Sequence, residues 1–431
     1  MNMRKFTVMT LAAAMTVSML PATAFAAEPI SVWHTYCGGD PKAESFAEKL
    51  NAFLEANPDV ELEIEEVNSA MDSMGTKITT ALTANDLPDV YWFWGGFTLE
   101  PVLEEDLLMD VQEYLDKTEN FKKEEISDAA WDYYTVNGKI VGFPLEGYYP
   151  SWVCNKAIFE EYNLEFPETM EDVKEIAATL NENGIIPLAV GSSGGNPGHF
   201  LLSDLMHQYE GGTDEIRSFG DTHQFATDNM TSVAQVILDL KEAGVFPQDT
   251  VANGDWTPCF ELYNSGKAAM TYTYNWALAG LSDEMHENTV LIDTPQIEGT
   301  AVDTSTFVQS SGNYGFVVTK EAWENPEKQD SLVKFIDFML SDDTSQAMAD
   351  NGVVTVKTTG ITYSNPIMKE LDEYYAGRTR VPAHFNTSLY SDGWSEVLIA
   401  CDELFAGNVT AEEFVEDVQE AYDEAYEEAQ E

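Results

Sequence analysis

Three short apolar stretches near the amino terminus decide the fold: ISVWH (30–34), VELEIE (60–65) and DVYWF (89–93). The residues between them, 41–57 and 71–84, have the apolar spacing of amphipathic helices. Strands that alternate with helices at this spacing predict crossover connections and a mainly parallel sheet with helices on its faces. Ligands of such sheets bind beyond the carboxyl ends of the strands.

The same alternation continues further along the chain. Thr169 is predicted to cap a helix, and residues 185–190 follow as a strand. Another helix is predicted after 325–326 (NP), and the last one starts at Thr410, where Glu413 completes a capping box. The length suggests about two domains.

The charge balance excludes several classes of partner. The chain has 431 residues, with 21 Lys and Arg against 76 Asp and Glu, and a formal net charge of −55. Nucleic-acid binding is not expected, because it needs clustered basic residues, and an anionic membrane surface would repel this chain. Hydrophobic residues at 44% and aromatic residues at 12% indicate a folded protein with a large core.

Residues 1–26 have the features of a secretory signal peptide. Arg4 and Lys5 precede a mostly apolar run, and 24–26 (AFA) has small residues where signal peptidase requires them. We expect cleavage after Ala26, which leaves 19 basic residues and a net charge of −57. A membrane anchor would need a longer apolar run, and no other segment is long enough to span a bilayer.

The cysteines do not identify a site. Export permits disulfides among Cys37, Cys154, Cys259 and Cys401, but free buried thiols are equally compatible with the sequence. A lipid anchor requires a cysteine directly after the cleavage point, and this chain has none there. We therefore expect a periplasmic, secreted or cell-surface protein without a lipid anchor at that position. Cysteine and histidine spacings match no metal-binding pattern, and no cofactor is expected.

Two patterns have precedents in enzymes. Residues 191–195 (GSSGG) match the G-x-S-x-G nucleophile elbow after a predicted strand, with Asp342 and His384 available as partners. The elbow needs a helix directly after its serine, whereas 196–198 (NPG) has the composition of a loop. Glu146 lies among aromatic residues, but no second carboxylate stands out as its partner in glycoside hydrolysis. A secreted glycosidase or esterase is therefore a remote alternative.

Aromatic residues concentrate at predicted strand ends and in loops, whereas Trp131 and Trp323, on helical faces, are assigned to the core. Flat rings suit the C–H faces of a sugar, and carboxylates and amides suit its hydroxyl groups. This pattern predicts a carbohydrate-binding cleft. The candidate rings and the acids near them are Trp33, Trp92, Phe93, Trp94, Glu146, Tyr148, Asp255, Trp256, Tyr274, Trp276 and Trp394.

A series of short segments gives the chain a family resemblance. The segments are GKIVGFP (138–144), NKxxF (155–159), PxT (167–169), GIIPLA (184–189), SGKAAM (265–270), YGFVV (314–318), KFIxFM (334–339) and the tail over 394–424. Their order resembles that of family 1 extracellular solute-binding proteins, the maltose-binding-protein-like receptors of ABC sugar importers. No single segment is specific, and the resemblance depends on their order over nearly the whole chain after the signal peptide.

The resemblance implies an α/β, two-lobed periplasmic-binding-protein fold of type II, with mainly parallel sheets flanked by helices. It implies one lobe over 27–145 and 314–355, and a second over 146–313 and 356–431. The ligand would bind in the hinged cleft, and the lobes would close around it as a shift between open and closed states, without chemistry.

The resemblance also implies roles for individual residues. Trp276 and Trp394 match tryptophans that stack on sugar rings, and residues 92–94 match a strand end that contacts the ligand. Glu146 matches an acid at the first hinge that accepts hydrogen bonds from hydroxyl groups.

The chain departs from the family pattern at a loop that often offers an acid and an aromatic residue. This loop has Asn196 and His199 instead, which leaves the exact sugar open. A second departure is Cys154, where many members have a tyrosine.

The predicted function is capture of a mono- or oligosaccharide by a monomer and its delivery to the membrane permease subunits of an ABC importer. A polyamine or other cationic small molecule is the alternative, because the negative charge and an aromatic box also suit an ammonium group. An anionic ligand is less favoured, since only Arg217, Arg378 and Arg380 follow the signal peptide to supply forked donors.

Overall fold

The computed structural model describes residues 28–430 except 39, 41, 68–70, 100, 101, 104, 223, 383, 384 and 386–393. The expected signal peptide and His384 lie outside the described residues. Within this part of the chain, no helix combines the length and the apolar character needed to cross a membrane.

The strands form two larger sheets and two short pairs. In chain order they are β1 Ile30–His34, β2 Leu62–Glu66, β3 Val90–Trp94, β4 Thr135–Val136, β5 Lys139–Ile140, β6 Phe143–Tyr148, β7 Pro150–Asn155, β8 Ile186–Ala189, β9 Ala268–Tyr274, β10 Thr289–Ile292, β11 Phe307–Gln309, β12 Ser311–Val318 and β13 Thr379–Val381.

Helices flank these sheets. The α-helices are Ala43–Ala56, Met71–Ala84, Val111–Leu115, Asp128–Asp132, Lys156–Tyr162, Met170–Glu182, Gly198–Met206, Gly212–Thr222, Asp228–Glu242, Trp256–Asn264, Asn275–Leu278, Asp283–Asn288, Lys320–Glu324, Gln329–Met339, Asp342–Asp350, Pro366–Tyr375, Trp394–Ala406 and Ala411–Gln430. Short 3₁₀ helices lie at Gly96–Leu99, Lys123–Glu125 and Thr304–Thr306. The predicted caps are present, because Thr169 accepts the N–H of Asp172 and Thr410 that of Glu413.

The first sheet has the order β2-β1-β3-β12-β6. β1 is parallel to β2 and β3, as the strand-helix alternation predicts, and β12 is antiparallel to both of its neighbours. β6 therefore runs in the same direction as β3. The second sheet has the order β10-β7-β9-β8, in which β8 and β9 are parallel and β7 is antiparallel to both of its neighbours.

β3 is the middle strand of the first sheet, and it is buried on both faces because other elements pack over each face. Val90 and Trp92 pack on one side with the helices Ala43–Ala56 and Gln329–Met339, and Tyr91 and Phe93 pack on the other. Trp131 and Trp323 belong to this first core, as predicted, and their indole N–H groups donate to Lys123 O and Glu113 Oε2. A second core surrounds the second sheet. We call the two bodies the first and second lobe.

The chain passes from the first sheet to the second at 148–150, between β6 and β7, and returns to the first sheet at 309–311, from the short β11-β13 pair into β12. Gly147 N–H donates to Val354 O at 2.8 Å, so a third segment lies beside the first connection. The expected lobe boundaries at 145/146, 313/314 and 355/356 fall close to these segments, and their exact positions remain a prediction.

All four cysteines are free thiols. Cys154, Cys259 and Cys401 are buried, and Cys37 is half-buried. Burial raises the pKa of the Cys259 thiol to about 12, with a further contribution from Asp255, so this thiol stays protonated at neutral pH.

Asp89 ties three elements of the first lobe together. Its carboxylate accepts the N–H of Ser31 in β1 at 2.8 Å and lies 2.8 Å from the Nζ of Lys328, which precedes the helix Gln329–Met339. The Ser31 hydroxyl oxygen accepts the N–H of Asp89 in return, also at 2.8 Å.

Asp89→Ala should lower the free energy of unfolding by about 2–4 kcal/mol, because it leaves a largely buried N–H group and ammonium unpaired. Urea denaturation followed by circular dichroism measures this loss. Asp343→Ala is the matched control, since it removes an ion pair with Lys49 in which the aspartate is 78% exposed, and should cost less than about 1 kcal/mol. Equal losses in the two variants would contradict the role given to Asp89.

Candidate functional site

The carboxyl ends of strands from both sheets lie next to the connection between β6 and β7. β1, β3 and β6 run in one direction, so His34, Trp94 and Tyr148 end at the same edge of the first sheet. In the second sheet, Tyr274 at the carboxyl end of β9 pairs with Pro150 at the start of β7. Open α/β sheets bind ligands at such carboxyl edges, so this region is the candidate site.

The first lobe contributes a polar surface made by Asp40, Lys42 and Glu146, which the buried Tyr36 supports through a hydrogen bond. The Tyr36 hydroxyl donates to Glu146 Oε1 at 2.8 Å, and the Lys42 Nζ lies 3.4 Å from the same oxygen and 3.2 Å from Asp40 Oδ2. The side chains of Lys42 and Glu146 remain about equally accessible, at 15% and 14%.

The charge states on this surface are defined by burial and by neighbouring carboxylates. Burial, reinforced by Glu146, raises the pKa of Tyr36 well above its usual value, so its hydroxyl is a neutral donor. Burial opposes the charge on Lys42, but Glu146 and Asp40 outweigh it and raise the Lys42 pKa. Lys42 is therefore a cation that already neutralises part of the carboxylate charge.

Four predicted rings of the first lobe differ in accessibility. Trp92 and Phe93 are buried on opposite faces of β3, so burial assigns them to the core rather than to a ligand surface. Trp33 is half-buried, and the Lys77 Nζ covers its ring at 3.8 Å from the ring centroid. Trp94 is half-buried at the strand end and packs against Tyr314, with ring centroids 4.7 Å apart. Among these four, Trp94 has the position expected of a ligand contact.

A contiguous set of rings, which we call the aromatic cluster, joins Tyr148 at the end of β6 to four rings of the second lobe, Phe200, Trp256, Tyr274 and Trp276. Tyr274 is central, with ring centroids 5.0 Å from Tyr148, 5.3 Å from Phe200 and 4.7 Å from Trp256. Tyr274 and Tyr148 are buried, so these two predicted contacts support the cluster from below rather than face a ligand. Trp276 extends the cluster outward at 5.7 Å from Trp256 and is 45% exposed. A ring that belonged to the core would be buried, whereas nearly half of Trp276 is accessible. The indole of Trp276 is therefore available to stack on a ligand.

His199 and Trp394 extend the cluster in the other direction. The His199 ring is 3.9 Å from Phe200 and 4.9 Å, edge to face, from the half-buried Trp394. Burial lowers the pKa of His199 to about 3, so the imidazole is neutral in the physiological range. His199 is 2% exposed and thus supports the neighbouring rings in this conformation.

The two polar candidates of the second lobe have structural hydrogen bonds. Asn196 Nδ2 donates to Gly194 O at 3.2 Å, which stabilises the loop before the helix Gly198–Met206. Asp255 is exposed and caps the helix Trp256–Asn264 by accepting the N–H of Trp256 at 2.7 Å. Asn196 lies three residues before His199, and Asp255 lies directly before Trp256, so both place polar groups near the aromatic cluster.

Sequence reasoning missed Tyr36, Lys42, Phe200 and Tyr314. Tyr36 and Lys42 follow the end of β1, and their position beyond a carboxyl strand end could have identified them. Phe200 precedes Leu201 and Leu202, a sequence typical of a core, and Tyr314 lies between Asn313 and Gly315, where no local pattern indicates a site. Their contacts with the cluster and with Trp94 arise only from packing.

The enzyme-like patterns are explained by structural contacts. In the segment 191–195 the serine at the nucleophile position of the G-x-S-x-G pattern is Ser193, whose N–H donates to Asn196 O at 2.9 Å within a loop, and a helix begins only at Gly198. Asp342 pairs with Lys357 in the first lobe. Among the residues that the structure describes, no three His, Cys, Asp or Glu side chains are grouped as metal ligands.

Comparison with known proteins gives one family. The family model described as bacterial extracellular solute-binding protein matches residues 39–346. An uncharacterized ABC transporter extracellular-binding protein of Pyrococcus horikoshii is 21% identical over 255 residues, or 58% of this chain. That match spans 56% of the length of the relative.

Solved structures share the fold at low sequence identity. A chitin oligosaccharide binding protein has a TM-score of 0.78 at 20% identity, with 93% of this chain and 100% of that chain covered. A structure from work on xylan utilization by Caldanaerobius polysaccharolyticus has a TM-score of 0.77 at 21% identity, covering 91% and 99%. Maltose-bound MalE3 of T. maritima has a TM-score of 0.71 at 18% identity, also covering 91% and 99%.

These matches agree with the two sheets, each flanked by helices, and with the connections between them. The fold is the two-lobed periplasmic-binding-protein fold. On the family match over residues 39–346, the chain belongs to the bacterial extracellular solute-binding proteins.

Proposed function

We propose that the protein is the exported substrate-binding component of an ABC importer and captures a mono- or oligosaccharide between its lobes. The observation that carries this proposal is the aromatic cluster of the second lobe, whose outer ring, Trp276, is 45% exposed. An exposed indole beside Trp256 and Tyr274 is a hydrophobic platform of the kind that suits the C–H face of a pyranose.

The polar surface of the first lobe supports a neutral ligand with many hydroxyl groups. Glu146 accepts from Tyr36, and Lys42 keeps its ammonium between Glu146 and Asp40. Charged donors and acceptors of both signs suit hydroxyl groups, which donate and accept. A polyamine would bring further positive charge to a carboxylate that Lys42 already partly neutralises, which makes the cationic alternative the weaker one.

The remaining parts of the proposal follow from the family. The loaded receptor, a monomer, would dock on membrane permease subunits outside the cytoplasm, at the periplasmic or outer cell-surface side. Binding and release would involve lobe closure and opening and no bond breaking.

A ligand panel tests the proposed substrate class. Maltotriose, xylotriose and triacetylchitotriose should include at least one sugar that raises the melting temperature, with a shift that grows with the logarithm of sugar concentration. Spermidine at the same concentrations is the comparison, with ionic strength held constant, because the net charge makes cations bind non-specifically. Stabilisation by spermidine alone, with no response to any sugar, would replace this proposal by the cationic one.

Removing the exposed ring tests its part in binding. Trp276→Ala should weaken binding of the sugar with the largest thermal shift by about 1–3 kcal/mol, the scale of a lost aromatic contact, with little change in melting temperature. Isothermal titration calorimetry measures the affinity. Phe166→Ala is the matched control, since Phe166 is a partly exposed ring of the second lobe that packs on Phe159, at the opposite end of β7. If both variants keep wild-type affinity, the aromatic cluster is not the sugar platform.

Catalysis is tested directly with p-nitrophenyl glycosides and esters. No turnover is expected, because Glu146 is held by Lys42 and Tyr36, and Ser193, the serine of the G-x-S-x-G pattern, lies in a loop whose following helix begins only at Gly198. Absorbance at neutral pH over hours measures product release, with an authentic glycosidase and an esterase as positive controls. Steady release that scales with protein concentration and disappears in Glu146→Gln or Ser193→Ala would contradict the receptor function.

A further inference from the structure

The glycine-rich segment 191–195 is held by one carboxylate from a distant helix. Asp402 Oδ1 accepts the Ser192 hydroxyl at 2.6 Å and the N–H of Gly195 at 2.9 Å, and its Oδ2 accepts the N–H of Gly194 at 2.8 Å. Three donors on one carboxylate form a strong, directional arrangement, because hydrogen bonds to a charged acceptor are about twice as strong as neutral ones. We call this arrangement the Asp402 clamp.

Packing brings the segment into close contact with the same helix. Gly195 has a φ of +78°, and a Cβ there would lie 2.2 Å from Leu398 Cδ2 and 2.9 Å from the Leu398 Cα. Only glycine permits both the backbone conformation and the approach. The segment therefore lies directly against the helix Trp394–Ala406.

A second loop is tied to the same helix. Ser192 N–H donates to Thr250 O at 2.9 Å, and the Thr250 hydroxyl donates to Phe405 O at 3.0 Å. Gly254 follows in this loop, where a Cβ would lie 1.9 Å from Thr250 O. Asp255 then caps the helix that begins with Trp256.

Each of the segments that meet at the clamp carries rings of the candidate site. His199 and Phe200 follow the 191–195 segment, Trp256 follows the 250–255 loop, and Trp394 starts the helix that contains Asp402. These rings contact each other across the segments, at 4.9 Å between His199 and Trp394 and 5.7 Å between Phe200 and Trp256.

We propose that Asp402 is a positioning residue for ligand binding, which fixes the relative placement of the rings on three separate segments of the second lobe. Asp402 is not itself one of the candidate ligand contacts. It acts through the clamp, because displacing the 191–195 segment would move His199 and Phe200 relative to Trp394 and Trp256. The expected effect of Asp402 on affinity rests on the proposed function. Its expected effect on the placement of the rings does not depend on the ligand.

Asp402→Asn is the test, because asparagine keeps one acceptor oxygen and places an NH₂ group against N–H or O–H donors. We expect at least about a tenfold loss of affinity for the trisaccharide with the largest thermal shift, the size of losing hydrogen bonds to a charged group. We also expect a changed near-UV circular dichroism spectrum, which reports the packing of aromatic rings and which a purely stabilising role would leave unchanged. Asp172→Asn is the matched control, since Asp172 also accepts two backbone N–H groups, those of Glu168 and Thr169, but carries no ring-bearing segment.

The outcomes separate the two proposals. If Asp402→Asn loses affinity and alters the near-UV spectrum, while Asp172→Asn with a comparable fall in melting temperature keeps both, Asp402 is a positioning residue. If Asp402→Asn only lowers the melting temperature and keeps both readouts, the inference is wrong. Should none of the three trisaccharides bind the wild-type protein, these three sugars are excluded as substrates, and the near-UV spectrum still decides for or against the clamp.

Ser192→Ala provides a second variant in case Asp402→Asn does not fold. It removes one of the three donors without adding bulk, so a smaller change of both readouts in the same direction is expected. Wild-type affinity and spectrum in Ser192→Ala, with Asp402→Asn unfolded, would overturn the inference.

Discussion

The connection from β6 to β7 is the constraint on which the candidate site depends. The chain leaves the first sheet at Tyr148 and enters the second at Pro150, so both carboxyl edges must lie beside it. Asn275 holds this connection, accepting the Tyr149 N–H at 2.8 Å on its Oδ1 while its own N–H donates to Tyr149 O at 3.2 Å. Because Asn275 lies between Tyr274 and Trp276, the residue that holds this connection also positions two rings of the aromatic cluster.

The two sides of the site offer different chemistry. The first lobe presents charged groups, with Lys42 between Glu146 and Asp40, and the second presents the half-buried Trp256 and the exposed Trp276. A sugar ring has an apolar face and a polar rim, so a ligand between the lobes could use both surfaces at once. The chain has a net charge of −55, so an unpaired carboxylate at this place would attract cations. Lys42 reduces this attraction, because its ammonium group lies between Glu146 and Asp40.

The sequence indicated where along the chain the aromatic residues gather, but it did not distinguish accessible rings from rings buried in the core. Trp276, Trp256 and Tyr274 were expected near the ligand end of the second sheet and lie in one cluster there. Trp92 and Phe93 were expected at the same kind of strand end, but β3 is a middle strand with helices on both faces, so both are buried. The alternation of a strand indicates which residues share a face, whereas it does not reveal how many layers cover that face.

The sequence by itself determined the alternation of strands and helices, the caps at Thr169 and Thr410, and the family, because these depend on local spacing and on the order of segments. It also determined which segments carry aromatic residues. Tertiary structure alone decided that Asp402 clamps residues 192–195, more than 200 positions earlier in the chain, and that Lys42 reaches Glu146. Such contacts join residues far apart in sequence, and their geometry is set by how the sheets and helices pack, which no local pattern encodes.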